Sequence, residues 1–166
     1  AAFPASTTST TTLTLSVPDD AVQLTIKLRI PKWTRDPRIT LNGEAVSSPL
    51  RPGSYATLSR QWKDGDTVEA YYPMHLWSNP LNDYHPEYNA TLAFLYGPLV
   101  LAAVHMPTDI WVPHGNKFRT DASSFIKRNG TDATLTFEAT AANGSKILML
   151  PLRDVTDETD VVHFMT

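Results

Sequence analysis

Acidic side chains form three short clusters, which are the first candidates for catalytic chemistry. They are Asp64 with Asp66, Asp83 with Glu87, and a C-terminal run of Asp154, Asp157, Glu158 and Asp160. Two carboxyl groups about 5–10 Å apart across a pocket can hydrolyse a glycosidic bond. Asp64 and Asp66 flank Gly65, however, and such residues usually accept hydrogen bonds from a turn's backbone. We therefore expect a turn there, and a charged loop at the C-terminal run, whose spacing does not match an EF-hand calcium loop.

Motifs for metal binding and for nucleophilic catalysis are absent from the sequence. No two histidines have a metal-ligand spacing such as His-x-x-x-His; the five are His75, His85, His105, His114 and His163. The chain has no cysteine, which excludes disulfides, thiol nucleophiles, cysteine-ligated zinc and iron–sulfur clusters. It also lacks a Gly-x-Ser-x-Gly elbow and a glycine-rich phosphate loop. We expect no metal site and no cofactor in this chain.

The segment 77–88 is polar, aromatic and rich in proline, as contact loops often are. Aromatic rings there could stack on a sugar or contact a partner, and the candidates are Trp77, Tyr84, Tyr88 and, further along the chain, Trp111. Plain packing of the loop is the alternative for the same residues. Trp33 follows a predicted strand and Trp62 precedes a predicted turn, so we expect both in core or lid positions.

Three Asn-x-Ser/Thr sequons begin at Asn89, Asn129 and Asn143. They would carry glycans only on a secretory route, and such triplets also arise by chance. The sequons point weakly to an extracellular protein and leave the localisation open.

The 166 residues suffice for one large domain or two small ones with a core that needs no disulfides. Lys and Arg number 14 and Asp and Glu 17, which gives a net charge of −3 without basic clusters. This argues against nucleic acid or an anionic membrane surface as a partner. No apolar run approaches the roughly 20 residues that span a bilayer. Because the chain starts at Ala1 without an initiator methionine, we expect a piece of a longer protein.

The distribution of proline and of apolar residues favours strands over helices. The 13 prolines interrupt long helices, and apolar residues alternate with polar ones over 22–30, as in a strand with one buried face. Residues 13–17 alternate similarly, and Pro18-Asp19-Asp20 predicts a hairpin between these two strands. Further turns are predicted at Asn42-Gly43, Asp64-Gly65, Asn129-Gly130 and Asn143-Gly144.

The apolar run 92–104 predicts a strand that is buried on both faces. Gly97 and Pro98 interrupt it, and because proline cannot donate to a strand ladder they predict a bulge or a strand switch. Short strands separated by turns predict an all-β fold, an antiparallel, jelly-roll-like β-sandwich. We place a β-sandwich domain at residues 1–106 and a C-terminal β segment at 107–166. That segment packs on or completes the sandwich, and a short second sandwich is the open alternative.

Several phrases occur in an order that resembles the region after the catalytic domain in glycoside hydrolase family 127, the β-L-arabinofuranosidase-like proteins. They are LRIPKW (28–33), ITLNGE (39–44), SYATLSRQWKDGDTVEAYYPM (54–74), HPEYNATLAFLYGPLVLAA (85–103) and LPLRDVTDET (150–159). The combination of W-x-x-G-D with Y-G-P-L-V-L-A is fairly specific. The resemblance covers nearly the whole chain.

The resemblance implies that hydrolysis belongs to an (α/α) barrel earlier in such proteins, with a zinc-bound cysteine as nucleophile and an assisting glutamate. This chain has no cysteine, so no catalytic residue carries over, and zinc would belong to the missing catalytic domain. The matching residues are implied to be structural: Trp62 packs the core, the Asp64 and Asn42 segments form hairpin turns, and Gly97 shapes the buried strand. The full set is Trp33, Asn42, Gly43, Trp62, Asp64, Gly65, Asp66, Gly97 and Pro98.

Three functions are compatible with the sequence. The first is the non-catalytic β-sandwich portion of a β-L-arabinofuranosidase-like hydrolase, inactive alone, which supports the barrel and could border its sugar cleft. It predicts an exposed apolar patch where the barrel docks. The second is a carbohydrate-binding module that uses exposed aromatic residues to bind arabinose-containing glycans. The third is a small independent enzyme, which would need a pocket with two facing carboxylates.

Overall fold

The computed structural model describes residues 8–18, 21–81, 91–104, 110–111, 121–131, 134–156 and 164–165. The strands are β1 (Thr8–Thr14), β2 (Val22–Arg29), β3 (Arg38–Leu41), β4 (Glu44–Ala45), β5 (Tyr55–Trp62), β6 (Thr67–Pro73), β7 (Leu76–Pro80), β8 (Thr91–Tyr96), β9 (Leu99–Ala103), β10 (Ile110–Trp111), β11 (Ile126–Arg128), β12 (Phe137–Thr140), β13 (Lys146–Pro151) and β14 (Phe164–Met165). Within the described residues a 3-10 turn spans Leu152–Asp154. Over these ranges no helix is long and apolar enough to cross a membrane. The predicted all-β class is confirmed.

The chain divides into two compact units, Ala1–Met74 and His75–Thr166. This division differs from the predicted boundary after residue 106. The reason lies in the apolar run 92–104, whose continuous apolarity suggested the middle of the first sandwich. Its two strands instead pair with C-terminal ones, β8 with β14 and β9 with β13, so the run belongs to the second unit.

The first unit consists of two antiparallel sheets packed as a sandwich. One sheet has the order β1-β6-β3-β4, and the other pairs β2 with β5. The core contains Ile30, Ile39, Ala56, Leu58, Trp62, Val68 and Ala70. All but Ile30, which directly follows β2, lie in strands of the two sheets, because each sheet has one apolar face that must be covered.

The predicted hairpin between the first two strands is wrong. β1 pairs with β6, and β2 pairs with β5 over its whole length. The turn at Asp64-Gly65-Asp66 is likewise not a hairpin turn, because the strands it connects, β5 and β6, lie in different sheets. Alternation reveals which side chains share a face, but it does not identify the neighbouring strand.

Two other hairpins are as predicted. Asn42 and Gly43 have φ angles of +51° and +83° between β3 and β4, as a two-residue type I′ turn requires. Strands β12 and β13 pair around Asn143-Gly144, and Gly144 has a φ of +85°. In both cases a dipeptide suited to left-handed backbone joins strands that are adjacent in sequence.

The second unit is built on a sheet of order β10-β14-β8-β9-β13-β12-β11, with β7 paired to β8. Its described core includes Phe94, which packs edge-on against Phe125 and Phe164 with centroid distances of 5.2 and 4.9 Å. Gly97 and Pro98 form neither a bulge nor a strand switch. They are the two-residue loop of the β8–β9 hairpin, in which Tyr96 pairs with Leu99. Pro98 is tolerated because a loop residue needs no ladder donor.

Candidate functional site

Two turns of the first unit are joined by side-chain hydrogen bonds centred on Asn42 and Asp66. Asn42 Nδ2 donates to Asp66 Oδ1 at 2.8 Å, and Asn42 Oδ1 accepts the Thr67 backbone N–H at 2.8 Å. Asp66 Oδ2 accepts the Lys63 backbone N–H at 2.9 Å. Both carboxylate oxygens of Asp66 are therefore engaged in holding the turn.

The neighbouring carboxylate, Asp64, caps a different segment. Its Oδ1 accepts the Val17 backbone N–H at 2.9 Å. Gly65, between the two acids, has a φ of +80° and donates its N–H to the Leu15 carbonyl at 3.0 Å. The two carboxylates thus point at separate backbone donors, which is an arrangement for holding chain segments together and not for acid–base catalysis.

Hydrogen bonding lowers the pKa of Asp66 below its ordinary value of 3.8. The Lys63 backbone N–H contributes most and the Asn42 amide adds to it; burial opposes them in part, and the Arg60 guanidinium, 4.0 Å away, lowers the pKa further. The carboxylate therefore stabilises the first unit fully above pH 3.8, and this contribution is lost as the pH falls through the lowered folded value.

We expect the urea midpoint of the first unit to fall between about pH 6 and about pH 2.5, and Asp66→Asn to reduce that fall. Other carboxylates titrate in the same window, so the informative quantity is the difference between wild type and variant. Urea titrations at both pH values, followed through amide signals of residues in 22–73, measure it. An unchanged pH dependence in the variant would contradict the role of Asp66.

The tryptophans predicted from the sequence occupy packing positions. Trp62 is fully buried, and its Nε1–H donates to the Leu24 carbonyl at 2.9 Å. Trp33 is half-buried and packs edge-on against Tyr72 at a centroid distance of 6.5 Å. Trp77 is only 9% exposed, and its Nε1–H donates to the Gly97 carbonyl at 2.8 Å. This burial corrects the expectation that Trp77 offers an exposed ring to a sugar.

Several other predicted residues cannot be placed. Tyr84, Tyr88 and Asn89 lie outside the described residues, and so does the side chain of Trp111. Much of the acidic and histidine content is also outside them, namely Asp83, His85, Glu87, His105, His114, Asp157, Glu158, Asp160 and His163.

The two remaining sequons lie on the surface of the second unit. Asn129 and Asn143 are both exposed. Asn143 Oδ1 accepts hydrogen bonds from the Ser145 N–H at 3.0 Å and the Ser145 hydroxyl at 2.7 Å. Both asparagines are therefore sterically accessible.

No group of three or more potential metal ligands occurs among the described side chains. Asp154, the one described member of the C-terminal acidic run, forms an ion pair in which Arg153 Nε lies 3.3 Å from Asp154 Oδ1. Neither side chain is enclosed. The described part of the chain thus holds turns, packed aromatic residues and surface ion pairs.

One feature of the first unit was not foreseen residue by residue, namely three exposed apolar side chains on outermost strands, Leu13, Val22 and Leu24. Their exposed fractions are 40%, 44% and 46%. We call this group the β1/β2 seam, since Leu13 is in β1 and the other two are in β2. Burial along β2 begins only further along: Ile26 and Leu28 are half-buried, and Ile30 is fully buried. The predicted buried face of 22–30 is therefore buried at one end only.

The seam residues project from the core-facing sides of their sheets. Leu13 lies opposite Val68, and Val22 lies opposite Trp62. Directly opposed residues of an antiparallel pair project to the same face, and Val68 and Trp62 belong to one core cluster. β1 and β2 are outermost strands, and no described strand lies beyond them to cover these side chains.

Comparison with known families fits this division of the chain. The family model described as "Beta-L-arabinofuranosidase, GH127 middle domain" matches residues 1–74. That range coincides with the first compact unit, Ala1–Met74. Residues 1–74 are therefore similar in sequence to GH127 middle domains. The resemblance read from the sequence phrases is confirmed, and the first unit, which the family model matches, carries both the turn network and the β1/β2 seam.

Solved structures match both units together. A GH127 beta-L-arabinofuranosidase from Geobacillus stearothermophilus T6 is 22% identical, with a TM-score of 0.69, over 98% of this chain and 28% of that one. A glycoside hydrolase is 19% identical with a TM-score of 0.65, over 98% and 31% of the two chains. A further GH127 β-arabinofuranosidase is 18% identical with a TM-score of 0.62, over 98% and 30%.

At these identities the likeness shows the fold. The chain spans less than a third of the length of each of these three proteins. No curated protein matches it.

Proposed function

We propose that this chain is a non-catalytic β region of a β-L-arabinofuranosidase-type glycoside hydrolase and supports a catalytic (α/α) barrel. Its GH127 middle domain docks on the barrel through the β1/β2 seam. The observation that carries the proposal is the seam itself, three apolar side chains left 40–46% exposed on the core-facing side of two outermost strands.

The hydrogen bonds of the described acidic residues favour a structural role for this chain over a catalytic one. A glycosidase needs two carboxyl groups that face each other across a pocket. Asp64 and Asp66 instead accept backbone and amide hydrogen bonds within turns. The carbohydrate-binding alternative relied on exposed rings, and Trp77 is buried.

The free energy gained by burying the three side chains of the β1/β2 seam is large enough for a docking surface. Complete burial of a Val or Leu side chain contributes about 1.5–3 kcal/mol relative to full exposure. With a little under half of each of three side chains exposed, docking would gain roughly 2–4 kcal/mol from the seam. This is enough to orient a partner that makes other contacts as well.

The proposal predicts that Leu24→Ser weakens binding of this chain to a GH127 catalytic region. The partner is the β-L-arabinofuranosidase from Geobacillus stearothermophilus T6, produced without the segment that this chain matches, and calorimetric titration measures the affinity. We expect a loss of about five- to tenfold, because the variant forfeits apolar burial at the seam. The variant should fold normally, since Leu24 is 46% exposed.

Leu148→Ser is the matched control. Leu148 is also an exposed leucine, at 51%, but it lies on β13 in the second unit. We expect it to change the affinity by less than about twofold. Equal losses in both variants, or no binding by the wild-type chain, would contradict the assignment of the seam.

A further inference from the structure

A groove on the first unit lies apart from the β1/β2 seam and is used by no function discussed above. The groove is open to solvent and has a volume of about 640 Å³, and the residues that line it include Arg35, Asp36, Arg38, Ala45 and Ser48. Pockets for small ligands typically have volumes of about 300–1,000 Å³. The groove runs along the β3–β4 hairpin, which the Asn42-Gly43 turn holds in place.

Arg38 is the distinctive residue of this groove. Its Cζ lies 5.9 Å from the centroid of the Tyr71 ring, on the strand opposite. Within the described residues no carboxylate lies at salt-bridge distance from Arg38, whereas Arg60 lies 4.0 Å from Asp66 and Arg153 lies 3.3 Å from Asp154. A guanidinium that rests on an aromatic ring keeps its planar set of N–H donors, which matches the two oxygens of a carboxylate.

The remaining polar residues of the groove suit hydroxyl groups. Asp36 and Ser48 are exposed and line the same groove. A carboxylate accepts hydrogen bonds from ligand hydroxyls, and a serine hydroxyl can donate or accept. The groove thus combines a guanidinium for a carboxylate with hydrogen-bonding partners for hydroxyls, which fits a ligand that carries both groups.

We propose that this groove binds a sugar acid, with Arg38 as the receptor for its carboxylate and Asp36 and Ser48 as partners for its hydroxyls. The proposal does not depend on the docking role of the β1/β2 seam. The two surfaces use different strands, so each can fail independently.

Titration of the ¹⁵N-labelled 166-residue chain with D-galacturonate, at constant ionic strength, tests the proposal. D-Galactose, which lacks only the carboxylate, and acetate, which lacks the hydroxyls, are the matched probes. We expect galacturonate, at up to about 20 mM, to shift amide signals in residues 35–48, and both other probes to bind about tenfold more weakly. No shift with galacturonate, or equal binding of galactose or acetate, would overturn the proposal.

Variants locate the site. Arg38→Gln should weaken galacturonate binding about tenfold, and Arg29→Gln, at an exposed arginine of β2 outside the groove, should leave it unchanged. Ala45→Phe fills the groove from an exposed position and should abolish binding while the amide spectrum stays that of a folded chain. Full binding by Ala45→Phe, or an equal loss in Arg29→Gln, would overturn the proposal even if Arg38→Gln fails to fold.

Discussion

Trp62→Ala is expected to lower the free energy of unfolding of the first unit, Ala1–Met74, by about 3–5 kcal/mol. Trp62 is fully buried in the cluster that contains Ile30, Leu58 and Val68, so its removal leaves a cavity that the two sheets cannot close. The indole also donates to the Leu24 carbonyl at 2.9 Å, and the variant loses this bond. A loss of this size is comparable with the whole stability of a small domain.

The measurement is hydrogen exchange or urea unfolding, read separately for each unit because a chain with two units need not unfold in one step. Trp33→Ala is the control. Trp33 is half-buried and makes an edge-on contact with Tyr72, so we expect a loss of only about 1 kcal/mol. A Trp62→Ala variant as stable as Trp33→Ala would show that Trp62 does not hold the core of this unit.

Gly130→Ala is expected to destabilise the second unit by about 3 kcal/mol. A Cβ at this position would collide with the Thr134 carbonyl oxygen and would lie 2.5 Å from the Thr136 backbone nitrogen. These are backbone atoms, so no side chain can move aside. The Asn129 and Gly130 N–H groups both donate to the Thr136 carbonyl, at 2.9 and 3.2 Å, and any shift that relieves the collision disturbs these bonds.

Gly144→Ala is the control for Gly130→Ala, because it introduces backbone strain without a steric collision. A Cβ on Gly144 would meet nothing within 4 Å, but its φ of +85° is unfavourable for alanine. We expect a cost of about 1 kcal/mol from the backbone alone. Amide exchange rates of the second unit measure both variants. If Gly130→Ala costs no more than Gly144→Ala, the close approach at Gly130 is not rigid.

The sequence predicted local structure well where turn chemistry decides it. Asn42-Gly43 forms the predicted two-residue hairpin loop, because residues that accept left-handed backbone determine such a loop without help from distant residues. Asn143-Gly144 also lies in the predicted hairpin, within the longer loop between Thr140 and Lys146, and Gly144 is in the left-handed region. Asn129-Gly130 has the same composition, but its glycine is not in the left-handed region. There the neighbouring Thr134 and Thr136 backbone atoms, and not a turn conformation, require a glycine.

Pairing of distant strands could not be predicted in this way. The alternation in β1 and β2 indicated two amphipathic strands, and their closeness in sequence suggested a hairpin. Each instead pairs with a strand more than 25 residues away in sequence, as Thr14 with Thr67 and Arg29 with Tyr55 show. The exposure of Val22 and Leu24 follows from that pairing, so the location of the β1/β2 seam could not be read from alternation alone.

The proposed sugar-acid groove was also invisible in the sequence. Arg38 is an exposed residue in a strand of mixed polarity, and it looks like any solvated charge. Only the register that places it opposite Tyr71, together with the groove along the β3–β4 hairpin, makes it a candidate receptor. The absence of cysteine, in contrast, needed no structure to argue against the family's nucleophile in this chain.

The central claim, that this chain is a supporting region without catalytic machinery, is tested most directly by assaying it alone on 4-nitrophenyl β-L-arabinofuranoside, with and without added zinc. We expect nitrophenol release at the rate of the protein-free buffer in both conditions. A rate that rises in proportion to the concentration of the chain would contradict it.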